Sequence, residues 1–198
     1  MNRVLYACST NAGKLREFAL AAREFDRTNY AVEPLPGLKE MRAPEENGVT
    51  FKENACLKAL YFSEFTGELV FSDDSGIEVD ALGGAPGVYS ARFAGPDATD
   101  TENNNLLLER LAGSFNRIAR FVCVIALARS GQVIETFQGT VEGEILRELR
   151  GKNGFGYDPL FLYPPLGKSF AEIGAKEKLA VSHRGHALRK LFTFSAAR

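Results

Sequence analysis

The sequence has no tryptophan, only two histidines and three cysteines, and a formal charge of −1 across its 198 residues. Each scarcity removes a class of function. Cys8, Cys56 and Cys123 lie far apart, are odd in number and form no C-x-x-C spacing. That excludes a disulfide framework and a cysteine-based zinc ribbon; the three read as reduced packing thiols, and a cytoplasmic location is expected. Near-neutral charge excludes a protein that holds nucleic acid by bulk electrostatics. It leaves room for a local cationic pocket around a small anion. No apolar run approaches the length of a membrane span, and the apolar part of residues 1–8 is too short for a signal peptide.

What is present fits one soluble α/β domain. With 45% apolar residues, the chain is long enough for one large domain or for one domain with two lobes. The expectation is a single catalytic domain over residues 1–198. Val4 to Cys8 reads as a short buried strand. Ser9-Thr10-Asn11-Ala12-Gly13 breaks it, and from Lys14 a helical period follows through Leu15, Phe18, Ala19, Ala22 and Phe25. Thr50 and Glu53 spell a capping box that opens a second helix, with Phe51, Ala55, Ala59 and Phe62 facing inward. Thr99 and Glu102 repeat the signal for a third helix carrying Leu107, Leu108 and Leu111. Leu69 to Phe71 reads as a strand that ends at two carboxylates. Ala119 to Ala128 reads as a long strand, Ser130-Gly131 as a turn, and Val133 to Phe137 as the returning strand of a hairpin. A further strand is expected at Thr140 to Ile145. Gly151 to Pro165 has no period and reads as a loop; Ser182 caps a last helix carrying Leu188, Leu191 and Phe192. The hairpin makes the sheet mixed rather than purely parallel.

Four constellations carry chemistry. Asp73 and Asp74, followed by Ser75 and Gly76, place two carboxylates at a buried strand, which is costly unless a cation or a reacting proton balances them. Both are therefore candidates for a metal-dependent site. Glu45-Glu46 precedes the second helix and offers a further oxygen ligand, although acidic residues there also simply complement the helix dipole. Oxygen donors without a Cys or His cluster point to Mg²⁺ or Mn²⁺, not zinc. Ser9 to Lys14 joins a strand to a helix start, the geometry that binds phosphate, with Lys14 as a point charge. It lacks Walker A spacing, and a capped helix with a surface lysine is the ordinary alternative. Gly154-Phe155-Gly156-Tyr157-Asp158-Pro159 offers aromatic faces for a flat base and a carboxylate for its polar edge, or else a packed turn. Lys176, Lys178, Ser182, His183 and Arg184 form a cationic cluster before the last helix, with Arg184 suited to a bidentate contact.

Taken together, these stretches resemble the Ham1-like, or RdgB-like, inosine triphosphate pyrophosphatase family. The matching segments are Ser9 to Lys14, Thr50 to Ala55, Asp73 to Gly76, Gly84 to Arg92, Gly154 to Pro159 and Ser182 to Gly185, in the family's order and over nearly the whole chain. The resemblance implies a long central mixed sheet with flanking helices, two lobes around a cleft, and a homodimer. It implies hydrolysis of ITP, dITP and XTP to the monophosphate and pyrophosphate. Residue by residue, it implies that Ser9, Thr10, Asn11, Ala12, Gly13 and Lys14 bind the phosphates. Asp74 would be catalytic base and metal ligand, with Glu46 preferred to Glu45 as the second ligand. Ser75 would touch the substrate. Phe155, Gly156, Tyr157 and Asp158 would form the base pocket, closed by Lys178, His183 and Arg184. A Maf-like pyrimidine nucleotide pyrophosphatase and a nucleotide sensor without turnover are the alternatives. The aromatic loop and Arg184 speak against the first, the carboxylate pair against the second.

Overall fold

The structure, a computed structural model, describes residues 3–25 and 30–196. Seven strands form one sheet in the order β2-β1-β3-β4-β5-β6-β7. Strands β1 (Arg3–Ala7), β2 (Tyr30–Pro34) and β3 (Leu69–Val79) run parallel; β4 (Ile118–Arg129), β5 (Gln132–Ile145), β6 (Phe161–Tyr163) and β7 (Lys168–Ser169) continue antiparallel. The sheet is mixed, as expected. Five α-helices flank it: α1 (Ala12–Phe25), α2 (Phe51–Ser63), α3 (Asp100–Arg110), α4 (Ala175–Val181) and α5 (His183–Ala196).

The start signals act as written. Asn11 accepts from Lys14 N–H at 2.9 Å and caps α1. Thr50 with Glu53, and Thr99 with Glu102, complete both capping boxes. Ser182 Oγ accepts from Gly185 N–H at 3.2 Å at the head of α5. Each such cap satisfies a donor that the first helical turn leaves without a partner.

Three departures from the sequence expectation have physical causes. Strand β3 does not stop at the carboxylates: Asp73 pairs with Ile125, Asp74 with Val124, and the ladder runs on to Val79. Ladder bonds are made by the backbone, so a polar stretch stays in the sheet when an apolar neighbour such as β4 supplies the partner. The two strands expected at 133–137 and 140–145 are one, β5, because Gly139 is an approach point rather than a break. A Cβ there would run into the backbone carbonyl of His183, so glycine lets α5 lie directly on the strand. The loop expected at 151–165 ends in β6. The sequence reading also passed over β2 and the two-turn helix α4, each too short for a clear period.

Three apolar clusters share this framework. One lies between the sheet and α1 and α5, around Phe18, Phe71, Ile125 and Leu188. Another lies under α2 on the opposite face, around Phe62, Val70 and Val124. The third surrounds the far ends of β3, β4 and β5, where Ile77, Phe121 and Val141 meet Leu107 of α3 and Phe161 of β6. Strands β3 to β5 thus pass from one lobe into the other, and the cleft opens where they cross between them.

Candidate active site

Side chains alternate across a strand, so neighbours in sequence face opposite ways. Ser75 and Asp73 both contact Arg184, on the α1/α5 face. Asp74 contacts Asn54 and Lys58 of α2, on the other. The reading of both carboxylates as one metal-dependent pair is therefore corrected: they face opposite sides of the sheet and hold different direct partners, although Lys14 and Lys58 each act on both charges.

On the α2 face, Lys58 Nζ lies 3.1 Å from Asp74 Oδ1 and 2.9 Å from Glu46 Oε2. Asn54 Nδ2 donates to Asp74 Oδ2 at 3.3 Å. Burial pushes the Asp74 carboxyl above its ordinary value; Lys58 and Lys14 pull it back, and Glu46 adds to the rise. Burial acts on Glu46 in the same sense, but the charge and hydrogen bond of Lys58, with Asp74 and Lys14, together outweigh it and hold Glu46 low. Two hard carboxylates thus converge on one cationic group. Among the described residues no group of three His, Cys, Asp or Glu forms a metal cage. A Mg²⁺ ion does not need one, because it binds through one or two carboxylates plus substrate phosphates. Asp74 and Glu46 fit that donor set.

On the other face the charges are enclosed. Arg184 is 2% exposed. It donates to Glu17 Oε2 at 2.6 Å, to Ser75 Oγ at 2.6 Å, and through Nε and Nη2 to Asp73 Oδ2 at 3.3 Å each. Those contacts use four of the five guanidinium N–H groups. Lys14 Nζ reaches Asp73 Oδ1 at 3.0 Å. Burial alone would raise the Asp73 carboxyl, yet Lys14 and Arg184 hold it far below the usual carboxylate range. Lys178 bridges Glu17 Oε1 at 2.7 Å and Asp158 Oδ2 at 2.5 Å. It also lies 4.8 Å from the centre of the Phe155 ring, with Arg184 at 5.6 Å from the same ring.

Both faces open into one cleft of about 530 Å³, a volume usual for a small-molecule site. Ser9, Thr10, Asn11 and Lys14 line it at the start of α1; Ala12 and Gly13 do not. Gly13 has another role: a Cβ there would fall 2.6 Å from the Phe155 ring, so the phosphate-loop candidate and the base-loop candidate are in direct contact. Phe155, Gly156, Tyr157 and Asp158 line the cleft beside the start of α1. Asp158 Oδ2 already accepts from Phe155 N–H at 2.9 Å as well as from Lys178. It braces the loop from within rather than presenting that oxygen to the cleft. His183 is buried and stacks on Phe121 with ring centres 4.6 Å apart. Burial, then Arg184 and Lys178, push its pKa well below the ordinary value, so it is a neutral ring.

The profile of the Ham1 family matches residues 5–194. The chain belongs to the Ham1 family. It is 51% identical, over 96% of its length and 97% of the relative's, to the dITP/XTP pyrophosphatase of Acidobacterium capsulatum. It is 50% identical, over 94% of each chain, to the dITP/XTP pyrophosphatase of an Exiguobacterium species. The solved structure of a HAM1 protein from Coxiella burnetii superposes with a TM-score of 0.87 at 40% identity, covering 99% of this chain and 100% of that one.

Within this Ham1 chain, sequence reasoning missed Lys58, Asn54 and Glu17. A signal existed for each. Asn54 and Lys58 stand one turn apart on α2, and Asn54 is fully buried beside the apolar Ala55, an expensive place for an amide without a partner. Glu17 follows Lys14 at i+3, a spacing that places two side chains on one helix face.

Proposed function

We infer that this Ham1-family protein is a hydrolase that cleaves non-standard purine nucleoside triphosphates, ITP, dITP and XTP, to the monophosphate and pyrophosphate. One observation carries the reading. A capped helix start with Lys14 lies in the same cleft as the Asp74–Glu46 pair and the Phe155 loop. Phosphate binding, water activation and base stacking are thereby brought within one nucleotide's length.

Asp74 is the general base. It takes a proton from the water whose oxygen bonds to the α-phosphorus as the bridging bond to the β-phosphate breaks. The rise in its pKa, caused mainly by burial, suits this, because a stronger base accepts the proton more readily. Asp74 and Glu46 would hold Mg²⁺ or Mn²⁺, which supplies charge neutralisation to the phosphate oxygens when bound. Lys14 and the N–H groups at the start of α1 hold the charge of the phosphate tail. Lys58 keeps the two carboxylates together. Phe155 offers its ring to the base, while Lys178, His183 and Arg184 close the pocket behind it. Arg184 has one N–H outside its named contacts for a 6-oxo group. Residues 1–198 act as one catalytic domain, with cytoplasmic placement and a homodimer proposed from the family resemblance; sedimentation tests the dimer. No helix of the described residues is long and apolar enough to cross a membrane.

The test is turnover of ITP, XTP, dTTP and ATP with Mg²⁺ or Mn²⁺, measuring pyrophosphate and orthophosphate separately. Pyrophosphate from ITP and XTP is expected, with ITP ahead of ATP by at least about tenfold in kcat/KM. Orthophosphate release or preference for dTTP overturns the reading. Tight binding of ITP without turnover makes the protein a sensor.

A further inference from the structure

The Phe155 loop is fastened by helix α3, whose Asp100 also reaches the wall of the cleft. Gly156 N–H donates to Asp100 Oδ2 at 2.6 Å, and Gly156 C=O accepts from Asn104 Nδ2 at 2.9 Å. Both polar groups of one residue are thus held by a single turn of helix. Gly156 has a φ of 61°, a conformation reserved largely for glycine, so its peptide groups take directions that an ordinary loop residue would not.

Asn104 is nearly fully buried. Its amide also donates to Asp100 C=O at 2.7 Å, and its own Oδ1 is buried without a hydrogen-bond partner. Both of its partners are carbonyl oxygens, so the orientation of the amide is fixed by chemistry. Leaving a buried acceptor unmet is unfavourable. The arrangement accepts that cost and spends both N–H groups on the helix turn and on Gly156. The same stretch of α3 is itself anchored: Asn103 donates to Ala91 C=O at 3.1 Å and accepts from Ala94 N–H at 2.8 Å. Tyr157, next in the loop, donates its hydroxyl to Ser90 C=O at 2.8 Å.

We propose that Asp100 and Asn104 are positioning residues for nucleobase selection, clamping Gly156 so that the Phe155 ring stands at a fixed distance from the start of α1. The inference rests on the reading of a purine nucleotide as substrate. Phe155 is wedged against Gly13, so the clamp sets the spacing between the wall that meets the base and the wall that meets the phosphates. Asn104 does not line the cleft, and Asp100, at its wall, has Oδ2 engaged by Gly156 N–H, so the effect of both runs through the loop.

The test compares wild type with Asp100→Ala, Asp100→Asn and Asn104→Leu. It measures kcat and KM for ITP and ATP, inhibition by IMP and inhibition by pyrophosphate. Asp100→Ala and Asn104→Leu should each weaken IMP about tenfold, the effect of an unmet hydrogen bond. Both should shrink the ITP-over-ATP ratio and leave pyrophosphate inhibition within about twofold of wild type by the same principle. Asp100→Asn keeps an acceptor for Gly156 N–H and should restore most of the IMP affinity. Equal weakening of IMP and pyrophosphate would mean general loss of structure and overturn the clamp, as would unchanged selectivity in both disruptive variants. If one of these fails to fold, the other carries the comparison, and failure of both to fold overturns a role in selection. A wild type that releases no pyrophosphate from ITP sinks the functional reading instead, a result visible before any variant is made.

Discussion

Asp73 and Asp74 are separated by one peptide bond and live in opposite surroundings. Asp73 faces α1 and α5, where Lys14 and Arg184 close on it and depress its pKa. Asp74 faces α2, where burial raises its pKa and a lysine shared with Glu46 only partly offsets the rise. The first cluster sets Lys14, Arg184 and Lys178 against Asp73, Glu17 and Asp158, and with two cations on it Asp73 is locked in the charged form. The second is short of positive charge and has room for more. A carboxylate locked by two cations is a poor proton acceptor and a good strut. A carboxylate competing for one cation is the reverse.

That contrast is sharpest under substitution. Asp74→Asn should cut turnover by about 10²–10⁴, the usual cost of removing a general base, while the urea midpoint stays close to wild type. Loss of stability with retained turnover would exchange the roles of the two residues. Asp73→Ala should do the opposite first. Removing one partner from a buried ion pair costs roughly 3–5 kcal/mol, because Arg184 is left enclosed with less to balance it. Chemical denaturation measures it, and an unchanged midpoint would show that Glu17 and Ser75 suffice for Arg184.

The strand alternation behind this comparison was readable in principle from the bare string, but only with the strand's end correctly placed. Reading β3 as ending at the two carboxylates cut the alternation short there and let them be taken as one pair. The outer framework was plain because caps are local: Thr50 with Glu53 and Thr99 with Glu102 each announce a helix within four residues. Lys14, Asp74 and Phe155, which meet in one cleft, were singled out from motif order along the chain. Glu17 and Lys58 were not, because what they do depends on partners far away in sequence: Glu17 meets Arg184 and Lys178, and Lys58 meets Asp74 and Glu46. No short window contains such a pair.

Lys14→Ala is a smaller perturbation that touches both functions of the enclosed face. It removes a cation from Asp73 and from the proposed phosphate site, where a charge-assisted contact is worth roughly 1.5–3 kcal/mol. KM for ITP should rise more than kcat falls. Titration calorimetry with a non-hydrolysable ITP analogue checks this, and equal affinity in the variant would take Lys14 off the phosphates.

The smallest effect expected is one of slope. Burial would raise the Glu17 carboxyl, but Arg184 and Lys178 outweigh burial and lower it from 4.5. The sign follows from linkage. A group whose pKa is depressed on folding gives stability that is fully present above its unfolded value and is lost as pH falls toward the folded one. Unfolding free energy should therefore decline below about pH 4.5, the unfolded reference, and Glu17→Gln should flatten that decline. An equally steep acid limb in the variant would place the titration on other carboxylates.

Strands β3, β4 and β5 run unbroken through both lobes, and that continuity has a mechanical meaning. Among the described residues the two halves of the cleft are joined by these strands rather than by a linker, so this framework does not swing like a door on a pin. Opening or closing around a nucleotide must flex a hydrogen-bonded ribbon three strands wide, with the deformation spread along the whole span rather than gathered at one joint. The sheet then behaves as a leaf spring whose stiffness is set by the ladder between β3 and β4. Amides of that ladder beside Asp74 belong among the slowest in the molecule to exchange with deuterium, and a substrate that bends the ribbon leaves its mark there as well as at the residues it touches.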